Sequence, residues 1–445
     1  MIKRSYRAAV ALAAALPAAV LVAAAPAPAA PAPARAVPGA AVPGAAVPAD
    51  APAAAAPRTG VPGAGAGAAA APGAAVSGAA AGAAAVPADA GRAVDTVPAR
   101  LPAPTGRYPV GRGTLHLVDR TRPDPWVATA GARELMVSMY YPARPGAGER
   151  ARYASTEEAR LLLAAQGLAG AVTAATLSAT GTNSRVDARP APGRYPLVLL
   201  SPGFGAPRYT LTSLAEDLAS RGYVVAAVDH AYESAGTAFP GGRILTCVAC
   251  TEAQTHEDLR RATAGRGQDM SFVLDRLTGR HPAWRYAGLI DRNRIGMAGH
   301  SLGGASAVSA MAGDHRIRAG VNMDGAFGDP VPDGGLGGRP FLMLGTDDAV
   351  HRPGGTDATW DQAWTRLDGW KRWLTVAGAD HETFTDYPAL AAQLDLPQPP
   401  LPAARAITIT RGYVAAFFDR HLKHIAEPLL DGPTRANPEV HFNNP

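Results

Sequence analysis

A serine held between two glycines can be turned into a nucleophile, and Gly299-His300-Ser301-Leu302-Gly303 has that form. Before it, Ile295 to Ala298 reads as a short buried strand. After it, Gly304 to Met311 is small and apolar, as a helix lying close on a sheet must be. Strand, G-x-S-x-G and helix together make a nucleophile elbow, in which a sharp turn raises the serine hydroxyl above the sheet. That hydroxyl is a weak nucleophile at neutral pH. It needs a base within hydrogen-bond reach and an acid to orient the base.

On an elbow of this kind the acid and the base follow the serine in the chain. His381 lies in Gly378-Ala379-Asp380-His381-Glu382, after the last expected strand, where a loop can carry the imidazole over Ser301. His351 comes too early for that place, and His315, His421 and His424 read as surface residues. For the acid, Asp324 ends the strand after the elbow, while Asp347 and Asp348 end the next one. Both strand ends lie near the top of the sheet, so spacing does not separate them. The developing oxyanion requires backbone donors. One is the N–H of Leu302. The other is assigned to Phe204 in Ser201-Pro202-Gly203-Phe204-Gly205, since Pro202 has no N–H. His300 reads as packing or hydrogen-bonding beside the elbow. Asp229-His230, at a strand end, reads equally as pocket lining or as a paired group. Trp360, Trp364, Trp370 and Trp373 read mainly as helix-to-sheet packing.

The elements that must hold these residues are legible in outline. Gly113–Asp119 and Glu134–Tyr141 alternate as antiparallel opening strands. Ser155 and Glu158 form a capping-box signature ahead of a short helix over Ala159–Gly167. Gly170–Pro192 has no clear periodicity. Tyr195–Leu200, Tyr223–Val228, the elbow strand, Ala319–Met323, Pro340–Leu344 and Trp373–Val376 are continuous apolar runs, as strands buried on both faces are. Helical spacing falls between them over Leu211–Ser220 and Asp258–Leu277, and again at Ile407–His424. The pattern predicts an α/β-hydrolase fold, with a mostly parallel central sheet and helices on both faces.

The remainder of the 445 residues differs in kind. Residues 1–29 read as a secretory signal: Lys3, Arg4 and Arg7 precede an Ala/Val/Leu run, and Ala27-Pro28-Ala29 offers a cleavage site. Residues 30–104 are almost wholly Ala, Pro, Gly and Val, with Ala36-Val37-Pro38-Gly39-Ala40 repeated, and read as a disordered spacer. That leaves 105–445 as one catalytic domain in an exported protein. The net charge of +5 comes from scattered arginines with no basic run among aromatics, which argues against a nucleic-acid partner. Cys247 and Cys250 are read as a local disulfide, since no second ligand pair exists for zinc. No metal or organic cofactor is called for.

From Tyr195 onward the chain resembles the plasma-type platelet-activating-factor acetylhydrolase family and its bacterial esterase relatives. The likeness rests on Leu199–Gly205, Gly299–Gly304, Met323-Asp324-Gly325 and Asp380–Tyr387, with Pro109–Gly111 and Tyr141-Pro142 similar to the family's opening strands. The family often has His-Gly where this chain has Ser201-Pro202-Gly203, which is similar instead to secreted actinobacterial lipases and polyester hydrolases. The resemblance implies Asp324 as the triad acid. It also implies a serine esterase acting through an acyl-enzyme on short-chain acyl esters or on phospholipids of the sn-2 acetyl type. The implied partner is a small-molecule or lipid ester, and a lipid substrate would add transient contact with a lipid surface. A broader lipase or polyester hydrolase on the same triad, or an acyltransferase, is the alternative.

Overall fold

A computed structural model of the chain describes residues 98–444; the signal over 1–29 and the spacer as far as residue 97 lie outside the described residues. The described residues form twelve strands interspersed with helices. β1 (Val110–Pro123), β2 (Ala132–Pro142), helices α1 (Thr156–Ala165) and α2 (Ala174–Ser178), and β3 (Arg185–Val186) open the fold. Then come β4 (Tyr195–Ser201), α3 (Thr212–Ser220), β5 (Val224–His230), the hairpin β6 (Thr237–Phe239) and β7 (Arg243–Leu245), α4 (Ala249–Glu252) and α5 (His256–Thr278). The second half has β8 (Ile290–His300), α6 (Leu302–Gly313), β9 (Ile317–Met323), β10 (Phe341–Thr346), α7 (Ala358–Arg366), β11 (Lys371–Val376), α8 (Tyr387–Ala391), α9 (Ala403–Leu422) and β12 (Val440–Phe442).

Ten strands form one sheet in the order β12-β11-β10-β9-β8-β4-β5-β2-β1-β3. From β11 to β5 neighbouring strands run parallel, and β2 and β12 close this block antiparallel on either side. Side chains alternate across the pleat, so each parallel strand feeds two cores. Leu197 and Leu199 of β4 join Met270, Val273 and Leu274 of α5 and Val308 and Met311 of α6 on one face. Val198 and Leu200 join Leu214 and Leu218 of α3 and Tyr413, Val414 and Phe417 of α9 on the other. This is the α/β-hydrolase fold.

Several details depart from the sequence expectation. β8 extends from Ile290 to His300, beyond Ile295–Ala298, because ladder pairing with β4 recruits the polar residues that precede the apolar run. The stretch without periodicity supplies α2 and the short edge strand β3. Packing starts before residue 105: Ala99 and Leu101 are buried, Leu101 N–H donates to the Gly181 carbonyl, and Arg411 holds the carbonyls of Pro102 and Ala103. Two apolar side chains in a Pro/Ala-rich context gave no period by which to recognise this. His315 and His424 are exposed as expected, but His421 is wedged against Trp370 and Phe417, with ring centroids 4.5 and 4.9 Å away. Trp360 and Trp373 are fully buried, and Cys247 is joined to Cys250.

Candidate active site

β8 ends at His300 and α6 begins at Leu302, leaving Ser301 alone to make the turn with φ 54° and ψ −127°. A non-glycine residue rarely adopts that conformation, and it persists only where its surroundings over-determine it. Here the Ser301 N–H is fixed on the Met323 carbonyl at 2.8 Å. The flanking glycines are required by contact: a Cβ on Gly299 would lie 2.2 Å from the Gly303 backbone, and one on Gly303 would lie 2.2 Å from the Ser201 carbonyl oxygen.

His381 opens a short 3-10 turn after β11, capped by Asp380 and Thr383. Its Nδ1 lies 2.6 Å from Asp324 Oδ2. Asp324 is buried, with φ 60°, at the end of β9; its other oxygen accepts from the Thr346 N–H at 2.7 Å. Burial alone would raise the Asp324 carboxyl, but His351 and His381 and the Thr346 N–H hold it below its usual value. For His381, burial works downward and is outweighed by Asp324, aided by Glu382 and Asp380, so the imidazole is pushed up to about 9.

His300 ties this loop to the elbow. Its Nε2–H donates to the His381 carbonyl at 2.7 Å, and the two rings lie 4.5 Å apart. Burial, with His381 alongside, lowers His300 to about 3, so it remains neutral. Since His300 adjoins Ser301 in the chain, this contact holds the His381 loop beside the elbow. Among the described residues the Ser301 hydroxyl makes no hydrogen bond to His381.

The structure thus brings Asp324 to His381 and gives Asp347 and Asp348 other partners. Asp347 accepts from Arg352 and Thr375, and Asp348 from Thr346 and the N–H groups of Val350 and His351. His351, set aside in the sequence, lies buried with Nδ1 3.4 Å from Asp324 Oδ1. Its only sequence signal was closeness to Asp347 and Asp348. The Ser201–Gly205 turn lies against the elbow, and a Cβ on Gly203 would be 3.4 Å from Ser301 Cβ. Neither the Phe204 nor the Leu302 N–H donates to another group among the described residues. Asp229 pairs with Arg208, and His230 with Asp269 and Ser201. No group of side chains suited to a metal ion occurs among the described residues.

Residues 97–241 and 267–396 match the family model described as platelet-activating factor acetylhydrolase, isoform II. The chain belongs to that family. A probable 1-alkyl-2-acetylglycerophosphocholine esterase of Arthroderma benhamiae is 30% identical over 372 residues, spanning 76% of this chain and 92% of the relative. The solved structure of a ferulic acid esterase from Streptomyces cinnamoneus is 45% identical with a TM-score of 0.68, covering 78% of this chain and 99% of that one. A bis(hydroxyethyl) terephthalate hydrolase of Streptomyces coelicolor is 26% identical over 166 residues, 36% of this chain and 42% of its own. This acetylhydrolase-family member is a carboxylic-ester hydrolase, related also to actinobacterial esterases. No helix among its described residues is long and apolar enough to cross a membrane.

Proposed function

We propose that the protein is an exported serine esterase that hydrolyses short-chain acyl esters through an acyl-enzyme. Ser301 attacks the ester carbonyl as His381 takes its proton. Asp324 holds the imidazole in the required tautomer and stabilises the imidazolium. The N–H groups of Phe204 and Leu302 receive the oxyanion. His381 then returns its proton to the leaving alcohol, and water resolves the acyl-enzyme with the roles reversed. The observation that carries this reading is the 2.6 Å contact of His381 with buried Asp324, beside a serine in strained backbone. Residues 1–29 would direct export and 30–97 would act as a spacer, which the N-terminus of protein recovered from culture medium can test.

Acetyl esters are the first choice of substrate on the family relationship and the full-length likeness to the Arthroderma esterase. The higher identity to a ferulic acid esterase favours a second reading, in which the acyl group is aromatic. kcat/KM measured on acetyl, butyryl, octanoyl and feruloyl esters of one alcohol separates them. The first reading expects acetyl or butyryl to lead and feruloyl to trail by about tenfold or more, roughly 1.4 kcal/mol in the transition state. A feruloyl ester in the lead would move the proposal to aromatic acyl groups. Hydrolysis of none would reject it.

A further inference from the structure

The oxyanion turn is anchored from below by charged side chains that water does not reach. Arg266 and Asp269, three apart on one face of α5, point under it; Arg266 is 1% exposed. Arg266 Nη1 donates to the Pro202 carbonyl at 2.6 Å, and its Nε donates to Glu233 Oε2 at 2.7 Å. The Glu233 backbone carbonyl in turn accepts from the Gly205 N–H at 3.0 Å, and the Gly205 carbonyl accepts from the Ala235 N–H at 2.8 Å. Glu233 Oε1 is held by Arg133 at 2.6 Å and by the Trp126 indole at 3.0 Å. The turn Pro202-Gly203-Phe204-Gly205 is therefore held at one end by the Arg266 side chain and at the other by the backbone of Glu233, the residue that Arg266 pairs with.

The consequence is directional. In a trans peptide the carbonyl and the following N–H point to opposite sides. Pinning the Pro202 carbonyl inward turns the Gly203 N–H outward. The Gly203 carbonyl accepts from the Ala206 N–H at 3.2 Å, which fixes the next peptide plane and the direction of the Phe204 N–H. We propose that Arg266, with Glu233, is a positioning residue for ester hydrolysis, aiming the Phe204 N–H at the oxyanion by clamping the turn at Pro202 and Gly205. This rests on Phe204 acting as an oxyanion donor. Arg266 falls between the two segments matched by the family model. A planar guanidinium is suited to the task, since it can serve a carboxylate and a carbonyl from one fork.

The test compares wild type with Arg266→Lys and Arg266→Met, using 4-nitrophenyl acetate as substrate and a trifluoromethyl ketone as mimic of the tetrahedral adduct. Lysine keeps a cation beside Glu233 but cannot serve Glu233 and Pro202 in the same plane. Losing one oxyanion donor costs about 10²–10³ in kcat, and a misaimed one less, so Arg266→Lys should lower kcat about 10- to 100-fold. KM should stay within about threefold, the pH midpoint of kcat/KM should not move, and affinity for the ketone should fall in step with kcat. Arg266→Met should be at least as impaired. A folded variant with wild-type kcat, or one that loses KM and kcat together with ketone affinity intact, overturns the proposal. If neither variant folds, the pair is architectural and the proposal also fails. Fluorophosphonate labelling of wild type separates this from the proposed function: label absent from Ser301 rejects the triad, whereas label on Ser301 with an indifferent Arg266 rejects only the clamp.

Discussion

Among the described residues, serine, histidine and aspartate are grouped in two places. Asp324 pairs with His381 near Ser301 at the C-terminal ends of the parallel strands, whereas Ser201, His230 and Asp269 are joined to one another by hydrogen bonds at the start of the Ser201–Gly205 turn. In the second set His230 Nδ1 lies 2.8 Å from Asp269 Oδ2 and Nε2 lies 3.0 Å from Ser201 Oγ, contacts that look like those of a working triad. Their surroundings are opposite. Ser201 is fully buried in regular strand, and Arg266 approaches its oxygen at 3.4 Å. Burial and the neighbouring Arg266 hold His230 below its usual value, whereas Asp324 and the acids beside it raise His381. Ser301 has strained backbone, and the His381 side chain is 39% exposed. On the proposed function, residue types and contact distances are therefore not sufficient to make a nucleophile. Access, backbone strain and nearby free backbone donors distinguish the two sets.

The largest effect expected is at the two serines. Removing a catalytic serine costs roughly 10⁶ in kcat, so Ser301→Ala should abolish hydrolysis of 4-nitrophenyl acetate. Ser201→Ala removes one hydroxyl from the support and should stay within about tenfold of wild type, in line with a single lost hydrogen bond of about 1 kcal/mol. Steady-state turnover of both variants checks this, and a collapse at Ser201 with survival at Ser301 would exchange the two roles.

The acids should divide in the same way. Asp324→Asn should lower acylation by about three to four orders of magnitude while leaving a folded protein, because an amide favours the wrong tautomer and cannot stabilise the imidazolium. Single-turnover kinetics would show it. Asp347→Asn and Asp348→Asn should cost far less, since neither carboxylate touches His381. Asp269→Ala should act on stability instead. It leaves Arg133, Arg122 and His230 without a shared buried partner, a loss of about 3–5 kcal/mol of the kind seen when one side of a buried pair is removed. Urea unfolding of Asp269→Ala and Asp324→Asn side by side makes the contrast measurable.

What could be read from the sequence follows this division. The elbow was legible because strand, turn and helix are contiguous, so that the flanking strand and helix give Gly299, Ser301 and Gly303 the context the motif requires. His381 was expected as the base from its place after β11, the last strand the sequence pattern predicts. Asp324 against Asp347 and Asp348 was not decided by spacing, since adjacent parallel strands β9 and β10 both end above the sheet. In the structure, the positive φ of Asp324 and its bond from Thr346 direct its carboxylate to His381. The support around Arg133, Glu233, Arg266 and Asp269 left almost no trace, being assembled from segments whose outermost members are 136 positions apart and from charged residues, a type normally found on surfaces. Only Asp229-His230, at the end of β5, hinted at it.

A smaller effect concerns pH. Only the neutral imidazole can accept the Ser301 proton, so kcat/KM should rise with pH through the His381 ionisation. With His381 pushed up to about 9, the midpoint should lie well above 7. Glu382 adds to that rise, so Glu382→Gln should move the midpoint down by roughly half a unit, the scale of one partly screened neighbouring charge. A pH–rate profile of the two proteins checks both the sign and the shift. An unmoved midpoint would mean that Glu382 does not act on the base.

The contrast between the two serines is tested most directly by chemical labelling of the native enzyme. A fluorophosphonate phosphonylates a serine only where a base, an oxyanion site and access coincide, and peptide mass spectrometry locates the adduct. The account predicts one adduct, on Ser301, formed in step with loss of esterase activity, with the peptide bearing Ser201 unmodified. An adduct on Ser201 or another serine, or full inactivation with Ser301 unmodified, would contradict it.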